Sequence, residues 1–184
     1  MKKLFWMIAF LYCCTLAEAQ SSEKSTDAVL NMSLSKKYPA KLLDAYQDNA
    51  KSKVDDLFSY FQMLTDASLS DDYKKEIIKN IQYLFKNQNQ QVIDFTSPAK
   101  DKILLDRLIE KLLISEPISF RVSGTWRNAR ENALSWEAVY TVSRTKSGVT
   151  DTIEVSQLVF LFEENKSFGN AAKHVTVTFL GNMD

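Results

Sequence analysis

Histidine occurs once in this chain of 184 residues, at His174, and cysteine only twice, at Cys13 and Cys14. A Ser-His-acid site would have to use that one histidine, and no Gly-x-Ser-x-Gly elbow exists to present a serine to it. A zinc site would need unusual carboxylate ligation, so no metal is expected. Glycine stands at four positions, and none of them forms a loop that cradles phosphate, so no cofactor is expected either. No apolar run reaches the ~20 residues that a permanent membrane helix takes.

The longest such run, Leu4 to Leu16, has a different meaning. Lys2 and Lys3 precede it, and Ala17-Glu18-Ala19 closes it in the small-x-small pattern that a signal peptidase cuts. Residues 1–19 therefore read as a signal peptide, and the protein is expected to be exported, periplasmic or extracellular, with Gln20 first. Both cysteines fall in the removed segment, so the mature chain is expected to carry neither disulfide nor thiol. Lipid attachment at Cys13 or Cys14 is the competing reading. A lipoprotein cut needs small residues before the cysteine, and Tyr12 stands in the way. Loss of Lys2, Lys3 and Glu18 takes 23 basic and 23 acidic residues to 21 and 22, a balance that recruits neither nucleic acid nor an anionic membrane.

The remainder is the length of one domain that buries roughly 70% of its extended-chain surface. Residues 20–38 read as a flexible N-terminal arm, and 39–184 as a single α+β domain. From Pro39, apolar positions from Leu42 to Leu64 recur at threes and fours, one helical stripe with a possible break near Asn49. Ser70 caps a second helix with Asp71 and Asp72 in its first turn and Tyr73, Ile77, Ile81, Leu84 and Phe85 as its stripe. Val92-Ile93-Asp94-Phe95 reads as a short strand. Ser97-Pro98 then suggests the start of a third helix, carried by Leu104, Leu105, Leu108, Leu112 and Leu113 and stopped by Pro117.

From Ile118 onward the period becomes two. Four strands are expected to pair as an antiparallel meander with one apolar face: Trp126 with Trp136, Gly124 with Ala138, Val122 with Tyr140 and Phe120 with Val142. A tight turn at Ser147-Gly148 sets Val142 opposite Ile153, Tyr140 opposite Val155, Ala138 opposite Gln157 and Trp136 opposite Val159. A loop over residues 164–171 returns the last strand, with Val175, Val177 and Phe179 beside Leu161, Val159 and Gln157. The fold class expected is α+β, three N-terminal helices packed on a curved four-stranded antiparallel sheet, with a short extra strand between the second and third helices.

This element order, over roughly residues 54–180, resembles the cone-shaped roll of the nuclear transport factor 2-like, or cystatin-like, superfamily. The resemblance implies a curled sheet that often leaves a pocket within the cone. It does not select a function, because the superfamily holds isomerases, dehydratases and many non-catalytic binding domains.

Three places carry candidate chemistry. Gln157 is the one polar residue on the expected apolar face, and with Gly124, Trp126, Trp136, Ala138, Tyr140 and Phe179 it outlines a pocket for a small apolar ligand. The alternative is a buried amide satisfied by Tyr140 or a helix end. Asp94 lies on the short strand from which superfamily isomerases project an acidic base, with Tyr140 as hydrogen-bond donor, although alternation turns it outward to the surface. Leu158, Phe160 and Phe162 occupy successive outward positions near Val139 and Leu180, an apolar patch of the kind that marks an interface with a second copy or an envelope protein; the alternative is that the arm over residues 20–35 or the first helix covers it. The function expected is a non-catalytic binding or interaction domain. Its alternatives are an isomerase or dehydratase using Asp94, and a structural subunit of an envelope assembly.

Overall fold

A computed structural model describes residues 34–184 except 88, 132, 133 and 170, and of residues 35, 124–131, 168 and 171 only the backbone. The predicted leader, its cleavage site, Cys13, Cys14 and most of the arm lie outside these residues. The chain is α+β, with helices α1 (Leu34–Lys37), α2 (Ala40–Leu64), α3 (Asp71–Leu84) and α4 (Leu105–Leu113). A two-stranded hairpin, β1 (Gln91–Ile93) and β2 (Lys102–Leu104), separates α3 from α4. Strands β3 (Ile118–Glu131), β4 (Ser135–Lys146), β5 (Val149–Phe168) and β6 (Ala171–Met183) then form a curled antiparallel sheet in the order β3-β4-β5-β6.

Helix α2 runs unbroken through Asn49 and lays Ala50, Val54, Leu57, Phe58, Phe61 and Leu64 against the concave face of the sheet. The spacing is that of one helical stripe, and every one of those residues is buried. At the Ile118 end, the rings of Phe58, Phe61, Phe95 and Phe120 lie 5.2 to 6.4 Å apart, centroid to centroid. Ser70 caps α3 as expected, its hydroxyl accepting from the Tyr73 N–H at 3.4 Å.

The third helix begins later than the Ser97-Pro98 pair suggests. Those residues belong to the turn between β1 and β2, where Ser97 Oγ accepts from Ala99 N, and α4 starts at Leu105 directly after β2. A serine-proline pair serves a turn as well as a helix start, and here the hairpin claims it. Leu105, Leu108, Ile109 and Leu112 are the buried stripe, while Leu104 and Leu113 are exposed. The last part of the sequence read as arm contributes α1, and Leu34 is buried in the core.

The β4–β5 register is the expected one, with Trp136 opposite Val159, Ala138 opposite Gln157, Tyr140 opposite Val155 and Val142 opposite Ile153. The Ser147-Gly148 turn fixes it, both residues taking positive φ. The other two registers differ. Val122 faces Val142 instead of Tyr140, a slip of two residues that keeps the face, and further bulges carry Asn128 opposite Ala138 and Glu131 opposite Trp136. Between β5 and β6 the slip is odd. The strands run on past residue 164 to Phe168 opposite Ala171, turning at Gly169 with φ +62, so Phe160 faces Phe179 and Val159 faces Leu180. An odd slip exchanges the faces of a strand. Leu180 is thus wholly buried in the core, whereas Phe179 joins Phe162 on the outer face at 5.9 Å.

Strand β6 is an edge. Leu161 N donates to Leu134 O on the β4 side, so the backbone groups of Leu161 point away from β6, and those of Thr178 opposite it point to the free edge. Lys53 of α2 donates to that Thr178 carbonyl at 2.6 Å, and Phe85 forms a parallel bridge with Leu180 beyond it.

Candidate functional site

The interior position is built by β4 and β5. Gln157 is fully buried opposite Ala138, and its amide is engaged at both ends. The Tyr140 hydroxyl donates to Gln157 Oε1 at 2.7 Å, and Gln157 Nε2 donates to the Gly181 carbonyl at 3.3 Å. Burial, with the charge of Asp55 adding to it, pushes the Tyr140 phenol well above its usual range, so it stays a neutral donor. Trp136 is buried beside them, and its Nε1 has no hydrogen-bond partner among the described residues. Of the predicted pocket, then, Trp136, Ala138, Tyr140 and Gln157 come together inside the sheet. Phe179 does not, because the β5–β6 register turns it outward. The side chains of Gly124 and Trp126 lie outside the described residues.

Asp94 is not the surface residue that alternation suggests. It follows β1 directly, at 2% exposure, where its own turn folds back on it: Thr96 N and Thr96 Oγ1 donate to Oδ1 at 2.9 and 2.6 Å. Lys111 from α4 donates to Oδ2 at 2.5 Å. Burial alone would raise this carboxyl, but the bonds from Lys111 and Thr96 outweigh it and hold the group below the ordinary aspartate value. A base needs a free lone pair aimed at a substrate proton; this carboxylate spends its oxygens on anchoring a turn to a helix.

Arg144 completes that anchor, and no sequence motif announces it. On β4 its side chain points inward and is nearly buried, making a two-pronged pair with Asp151 at 2.8 and 2.7 Å across the β4–β5 hairpin. Its Nη1 donates to the carbonyls of Phe95 and Ser97, both at 2.8 Å. The legible signal was an arginine at an inward position, seven residues before an aspartate that a tight hairpin sets beside it.

The outer face carries the third candidate. Leu158, Phe160 and Phe162 project from β5, Val177 and Phe179 from β6; Leu158 is 36% exposed and the others are half-buried. Phe160 and Phe162 lie 6.1 Å apart. The Phe160 ring rests on Gly181, where a Cβ would come within 2.5 Å of Cε2, so the ring lies down over a position without a side chain. Lys86 Nζ caps the Phe162 ring at 2.9 Å, and Lys53 Nζ lies 5.1 Å from the Phe179 ring. A groove of about 440 Å³ continues the patch around the β6 edge, between Phe179 and the exposed Tyr83 at the end of α3. Val139, expected here, is almost buried, and Leu180 belongs to the core.

His174 is exposed on β6 opposite Asn165. Among the described residues no group of three or more His, Cys, Asp or Glu is placed to hold a metal ion, and no helix is long and apolar enough to cross a membrane. Comparison with family models, with curated proteins and with solved structures finds no match for this chain.

Proposed function

We propose that this chain is an exported, non-catalytic binding and interaction domain whose working surface is the outer face of β5 and β6, and that its fold is a nuclear transport factor 2-like roll. One observation carries the reading: five apolar side chains, three of them phenylalanines, lie contiguously on the convex side of the sheet, away from the core that α2 covers. Apolar area of this kind on one face is a mark of association. The interior supports the same reading from the other side, since the Tyr140 hydroxyl is given to Gln157 and the Asp94 carboxylate to Thr96 and Lys111. The two residues that an isomerase of this architecture would use have separate structural duties. The leader pattern at residues 1–19 supports export.

Native mass spectrometry of the mature protein from its own host tests the proposal. Wild type is expected at the mass of the chain from Gln20 plus an added mass, whether a second copy, an envelope protein or a small ligand, and Phe160→Lys is expected to lose it. A bare chain mass for wild type, or an added mass that the variant keeps, would remove the outer face from any role.

A further inference from the structure

We infer that residues 27–33 close the open margin of β6 as a further, antiparallel strand of the same sheet, with Ala28 opposite Thr176, Leu30 opposite His174 and Met32 opposite Ala172. The site is a sheet edge, and it stands apart from the outer face.

That margin is open to a strand. The alternation that turns the backbone groups of Thr178 away from β5 continues up the ribbon, so the N–H and C=O groups of Thr176, His174 and Ala172 also point outward. Lys53 and Phe85 engage the margin at Thr178 and Leu180, and among the described residues nothing pairs with it from Ala172 to Thr176. A row of such groups takes up an extended segment.

The chain supplies one, and the path of α2 fixes its direction. Residues 28–33, outside the described residues, span about 20 Å when extended, as does the edge over residues 171–176. They lead into Leu34, which is buried, and Lys37 of α1 donates to Glu163, the residue opposite Thr176. Helix α2 then passes Thr178, bonded by Asn49 and Lys53, and travels to the Ile118 end of the sheet, where Thr65 just beyond it accepts from the Ile118 N–H at 3.0 Å. The chain therefore enters α2 from the ribbon end. A segment that arrives there along β6 runs toward the Gly169 turn, and β6 runs away from it.

Parity agrees on both faces. Ala28, Leu30 and Met32 share the parity of the buried Leu34, which sets them on the inner side below the first turns of α2, where Leu42 is 39% exposed and Leu43 and Tyr46 are half-buried. Asp27, Val29 and Asn31 then fall on the outer side. Val29 comes opposite Val175, and Asp27 opposite Val177, beside the Lys53 ammonium that sits on the Thr178 carbonyl. An acid suits that place, because burial and the charge of Lys166 push the Lys53 ammonium below the ordinary lysine value. The opposite margin of the ribbon, along β5, would set Asp27 near Glu164 instead.

Disulfide trapping tests the register, because the mature chain is expected to hold no cysteine of its own. Val29→Cys with Val175→Cys, facing each other at a pair without hydrogen bonds between their backbones, should close under mild oxidation into a disulfide within one chain, read on a non-reducing gel. Val29→Cys with Lys173→Cys, out of register, should close about tenfold more slowly. In wild type, hydrogen exchange should find the amides of Ala172, His174 and Thr176 protected. Deleting residues 20–32, or introducing Leu30→Pro in the full mature chain, should speed those amides at least about tenfold while Lys173 and Val175, bonded to β5, stay unchanged. Open amides in wild type overturn the inference, as does protection that both variants keep. Disulfides that join only separate chains overturn pairing within the chain, and a Val29–Val175 closure no faster than the control overturns the register.

Discussion

The hydroxyl of Tyr140 and the side-chain carbonyl of Gln157 form a hydrogen bond across the β4–β5 pairing with both residues closed off from solvent. A polar pair in this position costs little while complete and much when halved. Tyr140→Phe should lower stability by about 1–3 kcal/mol, because it strands the Gln157 carbonyl. Adding Gln157→Met to that variant should cost less than Gln157→Met costs alone, giving a positive coupling in a double-mutant cycle measured by urea unfolding. Additive costs would mean that the bond contributes nothing to the folded state.

Asp94 makes stability depend on pH with a definite sign. Its carboxyl is held below the ordinary value of 3.8 in the fold, so the folded state favours the charged form. Its contribution is complete above the unfolded value and fades as pH falls through the folded one. Asp94→Asn removes the titration and sets an amide donor against the Lys111 ammonium. The stability difference between wild type and Asp94→Asn should therefore be large at neutral pH and shrink below about pH 4. Parallel urea titrations across that range check it; a difference that widens in acid would refute the assignment.

Arg144 holds two turn carbonyls and one carboxylate, and a lysine cannot reproduce that fork. Arg144→Met leaves Asp151 and the carbonyls of Phe95 and Ser97 without this donor, and a loss of about 3–5 kcal/mol is expected. Arg144→Lys should recover only a minor part. Hydrogen exchange should place the loss first in the β1–β2 turn, and uniform deprotection of the whole sheet would contradict this account.

Leu180 and Phe179 are adjacent in sequence and opposite in duty. Leu180→Ala empties a core position and should cost about 2–5 kcal/mol. Phe179→Ala should leave the unfolding midpoint of the isolated chain far less changed, since its ring lies on the outer face. Reversed magnitudes would restore the register that simple alternation suggests.

The reasons for that reversal show what the sequence could convey. Helical stripes, the α3 cap and the β4–β5 register were readable, because each is local: a spacing of three and four, a serine before two aspartates, a turn of two residues. The β3–β4 slip over Ile118–Ser123 was silent because a shift of two residues leaves those side chains on their face. For β6, Val175, Val177 and Phe179 outscore Thr176, Thr178 and Leu180 as an apolar face, so alternation chose the wrong one. The missing information sits on α2, where Asn49 and Lys53 fall on the side that meets the sheet. Thr178 answers them, its hydroxyl bonding Asn49 and its carbonyl Lys53. The inward arginine at 144 and the buried Asp94 escaped because each is fixed by a partner outside its own element, Arg144 by the carbonyls of Phe95 and Ser97 and Asp94 by Lys111 of α4.

The lysine on the Thr178 carbonyl has a consequence for how the protein behaves in quantity. A bare sheet edge beside Val177 and Phe179 is a template on which further strands can grow. Lys53 blocks it at Thr178 and Phe85 blocks it at Leu180, two residues apart on the same open margin. Lys53→Met keeps the aliphatic stem and removes only the ammonium, so the rate of aggregate growth, followed by light scattering at a matched fraction unfolded, should rise severalfold. One side chain thereby serves both the register of β6 and the colloidal stability of the molecule.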